Sequence, residues 1–289
     1  MPTRRRVLAC ACTVAGTAAV SGVGAATGSD GDLTLEIVRH ASAEPAEDAL
    51  DAVREGVDLF AETWSGATPG TAEVTLETDA VADFEIAPAH GETLDAMETD
   101  DALRGGRTAA TVTLVVVADG ATTAGAMRGY AGRGDGRSRE PGAYGYVNAE
   151  LAALFGAGIG TPRDLLRNFA AHECGHAVVG WTDFPHYPVE ATESEPSPSR
   201  RAHSCGAQDH PDARGWFVRH GITPMATGYS AVESRNTPRD HPFATERGPI
   251  DEYAEPVTES PFYLTMDYVP VFSETARAAM AHHYERVFG

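Results

Sequence analysis

The segment from Thr161 to Gly180 reads TPRDLLRNFAAHECGHAVVG and sets His172 and His176 four positions apart, with Glu173 directly after the first. On a helix turning about 100 degrees per residue, two such side chains lie only about 40 degrees apart around the axis and one turn apart along it. Both imidazoles can then reach a single divalent cation. Glu173 points roughly a quarter turn further round, near the cation without binding it, where a carboxylate can take a proton from a water that the cation activates. The helix is predicted on separate grounds. Thr161 is a suitable N-cap, Pro162 suits the first helical position, and Asp164 stands where a capping-box acid belongs. Leu165, Leu166, Phe169 and Ala170 supply the apolar contacts and Gly180 a stop, giving an active-site helix over 162–180. Cys174 falls on the far side of that helix, facing core.

The elements that must hold this helix are legible upstream. Leu33 to Val38 (LTLEIV) alternates as a strand, and Ala46 to Trp64 carries Leu50, Val53, Val57, Leu59, Phe60 and Trp64 at helical spacing. Ala72 to Glu77 and Ala110 to Ala118 (ATVTLVVVA) are further strands, the second apolar enough to be buried on both faces. Gly129 to Gly142 reads as a loop, and Ala143 to Asn148 (AYGYVN) as a short edge strand. Beyond the helix the texture changes: Pro185 to Pro198 is rich in Pro, Ser and Glu and predicts an irregular exposed segment, followed by short elements and one good helix capped by Ser273 and running to Val287. There is no internal repeat.

HECGH matches the His-Glu-x-x-His signature of the zincin metallopeptidases, and the chain resembles that family in this motif and in its order of elements. ITPMATGYS, Ile222 to Ser230, is similar to the Met-turn of the metzincin branch, with Met225 as the methionine beneath the metal and Tyr229 two residues later than the tyrosine that assists catalysis in some metzincins. The resemblance implies an α+β, zincin-like fold: a mixed β-sheet, a long backing helix, the HExxH helix, and an irregular C-terminal subdomain. It divides the chain into an N-terminal subdomain over 29–180 and a C-terminal one over 181–289. It also implies a zinc-dependent endopeptidase acting on protein or peptide, with Zn2+ held by His172, His176 and a third ligand, and Glu173 as general base. The alternative is a zincin-fold protein that binds metal or a partner without cleaving peptides; a structural surface protein with incidental histidines is the third class.

The chain departs from the long metzincin motif, since Val179 stands in the place of the turn glycine and Thr182 in that of the third ligand, with Gly180 and Asp183 each one residue late. The third ligand therefore lies among Asp183, His186, His203 and His210. His203, after the Pro/Ser-rich segment and ahead of Met225, best preserves the family's order. Cys205 is two residues beyond it. A bridge from Cys174 would compete with a ligand at His203, because two residues span at most about 7 Å; Cys174 is taken as a buried thiol.

Composition bounds the rest. The formal net charge is -20, and all 22 basic residues are arginine, with no lysine. Such a surface is similar to those of proteins from extremely halophilic archaea, where salt screens carboxylate repulsion. Nothing in it suits binding to nucleic acid. Residues 1–28 have an arginine-rich start (Arg4, Arg5), a weakly apolar Ala/Val/Gly stretch and a small-residue end, as in a twin-arginine export signal. The stretch has too few large aliphatics for a stable membrane anchor, so a secreted product is expected. Oligomeric state is not legible.

Overall fold

Why the chain forms this sheet follows from Thr111–Val117, a strand buried along its whole length with apolar side chains on both faces, which only a layer on each side can satisfy. A computed structural model describes residues 31–43, 47–104, 107–119, 124–132, 142–155, 161–181, 183–187, 198–209, 218–226, 246–247 and 263–289. In chain order these form β1 (Leu33–His40), α1 (Glu47–Ala67), β2 (Ala72–Ala82), α2 (His90–Thr99), α3 (Asp101–Arg104), β3 (Thr111–Val117), β4 (Gly125–Arg128), β5 (Ala143–Asn148), α4 (Ala149–Phe155), α5 (Pro162–His176), α6 (Pro198–Ser204), β6 (Ala207–Asp209), β7 (Val218–Ile222), β8 (Glu246–Arg247), β9 (Tyr263–Tyr268) and α7 (Glu274–Val287). The fold is mixed α/β.

The first sheet has five strands in the order β2-β1-β3-β5-β4. Its inner pairings are parallel, and β4 alone runs antiparallel, against β5. Alternation along the strands sorts the side chains into two layers. Leu33, Leu35 and Ile37 of β1 with Val112, Leu114 and Val116 of β3 face the main core, where they meet Val53, Val57, Phe60 and Trp64 of α1 and Leu165, Leu166 and Phe169 of α5. Val38, Val115, Val117, Tyr144 and Tyr146 face the other way and are covered by Phe84, Leu94, Met97 and Leu103. The C-terminal helix returns to this body: Trp64 of α1 lies against His283, Tyr284 and Phe288.

A second sheet, in the order β8-β6-β7-β9, occupies the later part of the chain. Its strands are short and its pairings mixed, β6 and β7 antiparallel and the two outer pairings parallel. No sequence periodicity announces strands this short.

Two expectations need correction. Ala143–Asn148 is not an edge strand; it is buried throughout and hydrogen-bonded on both sides, because Gly125–Arg128 adds a further strand beyond it. The segment GAMR carries no alternating pattern to predict that strand, and pairing with β5 creates it. The active-site helix ends at His176, not Gly180. Its last turn tightens, Val178 and Val179 both donating to Gly175 O, while the carbonyl of Ala177 accepts from Ala131 N at 2.9 Å instead of continuing the helix. Gly180 then takes φ +119°, a conformation that glycine enters without strain. The expected export signal, residues 1–28, lies outside the described residues, as does 188–197 of the Pro/Ser-rich segment. Among the described residues no helix is long and apolar enough to cross a membrane.

Candidate metal centre

The helix that carries the motif begins as its residues dictate. Thr161 Oγ1 accepts from Asp164 N at 3.1 Å and donates to the Asp164 carboxylate at 2.7 Å, with Pro162 at the first turn. From that start, buried Leu165, Leu166, Phe169 and Ala170 lock one face of α5 into the core. His172 and His176 emerge one turn apart toward the later half of the chain.

There they meet His203, near the end of α6. The three Nε2 atoms form a nearly equilateral triangle: 3.1 Å from His172 to His176, 3.0 Å from His176 to His203 and 3.2 Å from His203 to His172. Among the described residues this is the group of histidine, cysteine and acidic side chains able to hold a metal ion. Tetrahedral zinc, with Zn–N of about 2.0–2.1 Å, would set its ligand nitrogens about 3.3–3.4 Å apart. The donors fit such an ion, with a fourth direction left for water or substrate.

The protonation states agree. His172 Nδ1 lies 2.6 Å from Pro224 O, and since a carbonyl only accepts, Nδ1 carries the proton and Nε2 presents its lone pair. Burial pushes His172 down to about 4. Burial, and then the neighbouring His172, hold His176 well below its ordinary value. Neutral imidazoles are the metal-binding form. Three uncharged rings with their nitrogens this close cannot all satisfy one another by hydrogen bonds, whereas a cation satisfies all three.

Glu173 is 7% exposed and its Oε2 has no hydrogen-bond partner among the described residues. Burial pushes its carboxyl up to about 8. A cation nearby would favour the charged form and draw that value down.

The surrounding segments explain why His203 reaches the cluster. Gly206 packs so tightly on Met225 and Ala226 that an added Cβ would sit 2.2 Å from Ala226 N. Ser273, the N-cap of α7, donates to Cys205 O and accepts from Ala276 N at 3.1 Å, so the last helix clamps the turn that follows His203. Met225 is fully buried beneath α5, its Sδ 2.3 Å from where a Cβ on Gly175 would stand. The turn closed by Ala226 N to Thr223 O at 3.0 Å thus brings Met225 under the helix and Pro224 O to His172. Tyr229 and His210 lie outside the described residues.

The other two candidates for third ligand lie elsewhere. Asp183 is exposed and engaged by Arg286 and His282 of α7. His186 is exposed, its ring against Phe184. The chain after Gly180 is drawn to α7 instead of back to the cluster: Trp181 donates to His283 Nδ1, Tyr130 stacks on Trp181 at 4.5 Å, and Arg286 lies over the same indole. Cys174 and Cys205 are both buried free thiols; burial raises that of Cys174.

Sequence reasoning missed two parts of the site, Pro224 O and Gly125. An added Cβ on Gly125 would lie 2.8 Å from Glu173 Oε1. A glycine inside a strand is the signal that could have marked such an approach, but β4 itself was unseen.

No family model matches the chain, and no curated protein matches it. One solved structure to which it shows a likeness is metalloproteinase-II from Bacteroides fragilis, at 10% identity and a TM-score of 0.36, covering 60% of this chain. The match spans about half of that protein, 49% of its length. The functional reading stands on the geometry of the site itself.

Proposed function

We propose that the protein is a zinc-dependent endopeptidase. The observation that carries this is the triangle of His172, His176 and His203 nitrogens at 3.0–3.2 Å, with the next residue after His172 a buried carboxylate whose Oε2 has no hydrogen-bond partner among the described residues. A zinc ion held there would acidify a water molecule and polarise a carbonyl. Glu173 takes the proton released from the water on its carboxylate and passes it to the departing nitrogen, so one residue serves as base and then acid. Pro224 O keeps His172 in the tautomer that binds metal. Beside the helix, β4 has one edge occupied by β5 and, among the described residues, no strand on the other; an extended peptide can add there as a further strand. The neighbouring strand β5 cannot take that task, since both of its edges are already paired.

The setting is part of the proposal. A net charge of -20 with arginine as the sole strong base, and the arginine-led segment at residues 1–28, support a protein exported by the twin-arginine route and working in concentrated salt.

The test is metal content and cleavage of a casein or quenched peptide substrate in high salt, for the parent and Glu173→Gln. The parent should hold zinc and lose cleavage with a chelator; the variant should hold zinc and cleave about 100-fold to 10,000-fold more slowly. Zinc without cleavage in the parent would leave a metal-binding protein, and no retained metal would remove the proposal altogether.

A further inference from the structure

Gly125 opens β4, at the point where that strand passes α5. Its backbone does not need glycine for conformation, since it is absent from the positive-φ residues, but it does need glycine for space. A Cβ built there would meet Glu173 Oε1 at 2.8 Å and Glu173 Cγ at 3.0 Å, as well as Tyr146 O at 2.7 Å. Two of the three contacts belong to the side chain of Glu173, which occupies the volume a methyl group would fill. The strand is held in register there, Gly125 opposite Val147 and Asn148 N donating to Ala124 O at 2.8 Å, so it cannot swing away freely.

We infer that Gly125 is a positioning residue for Glu173: the bare backbone of β4 forms the wall against which the carboxylate of this residue, next in sequence to His172, is seated. The inference rests on the reading of the site as a peptidase centre. With a methyl group at 125, the Glu173 carboxylate must leave that wall. The three atoms nearest that methyl group belong to Glu173 and Tyr146 and none to a histidine, so the metal-binding side chains should keep their places. A displacement on the order of 1 Å at a reacting group can cost about 100-fold in rate.

The experiment pairs Gly125→Ala with Glu173→Ala in the full chain and reads three quantities: bound zinc, kcat and KM on the peptide substrate, and Tm. Gly125→Ala should keep its zinc and its KM while kcat falls about 100-fold. It should also lower Tm by several degrees, and the part of that loss due to Glu173 should vanish when the same substitution is made in a Glu173→Ala background, leaving only the part due to Tyr146 O, which stays 2.7 Å from the methyl position. A Gly125→Ala protein too unstable to purify would still be compared through the double variant, whose recovery of a folded, zinc-binding protein supports the inference. Equal loss of Tm in both backgrounds, or an unchanged kcat, overturns it. A parent that binds zinc but cleaves nothing refutes the peptidase reading instead, and the Tm comparison then still decides whether Gly125 seats Glu173.

Discussion

Gly175 is the fourth residue of HECGH, and the structure gives it a task that a substitution can measure. In Gly175→Ala the new Cβ would fall 2.3 Å from Met225 Sδ, with Phe272 Cε1 at 3.3 Å and Met225 Cε at 3.4 Å closing the sides. Carbon–sulfur contact needs at least about 1.2 Å more than that, so the turn bearing Met225 must retreat. Pro224, its neighbour, accepts from His172 Nδ1 at 2.6 Å; a retreat of about 1 Å carries that oxygen past hydrogen-bonding range. Losing the carbonyl that orients a metal-binding histidine typically costs about 10-fold to 100-fold in metal affinity, equivalent to about 1.4–2.8 kcal/mol. Overpacking should cost a further 1–3 kcal/mol, roughly, in stability. The assay is competitive zinc titration against a chromophoric chelator, with Tm recorded on the same samples. Adding Met225→Ala should make room for the methyl group and restore most of the affinity. A folded Gly175→Ala protein that binds zinc as tightly as the parent would refute the argument, as would a double variant that binds no better than the single one.

Removing His203 by alanine should abolish stoichiometric zinc at micromolar metal while Asp183→Ala leaves zinc unchanged, since Asp183 is spent on Arg286 and His282; metal analysis after gel filtration checks both. His283 provides a pH test away from the metal cluster. It is fully buried, accepts from Trp181 on Nδ1 and donates to Ala131 O at 2.9 Å, and burial pushes it down to about 4. A histidine with its folded value depressed binds fewer protons folded than unfolded, so its contribution is complete above the unfolded value of about 6.5 and is lost as pH falls toward 4. A fall from 6.5 to about 4 corresponds to a full loss on the order of 3 kcal/mol. His283→Gln can make both hydrogen bonds without titrating, so its urea midpoint should fall less than the parent's between pH 7.5 and 5; parallel curves would show that His283 is not responsible.

The amino-acid sequence alone determined the helix and its start. Thr161, Pro162 and Asp164 act within one turn, and the spacing of His172, Glu173 and His176 is a property of helical geometry, so both were readable without a fold. The central strand was equally legible, because an unbroken run such as TLVVV can only be buried on both faces. The cap at Ser273 belongs to the same local class. What the sequence could only rank was the third histidine. His203 is 27 positions from His176, and four candidates within reach differ by nothing local. Tertiary structure brings His203 to the pair and keeps Asp183 away: α7 holds Asp183 through Arg286 and draws Trp181 to His283, while Ser273 and Gly206 hold the turn beside His203 against the Met225 segment. The edge strand β4, the seat of Glu173 against Gly125, and the carbonyl that orients His172 share that origin. Each is a contact between segments distant in the chain, set by packing and pairing, and neither leaves a periodic trace in the residues that make it.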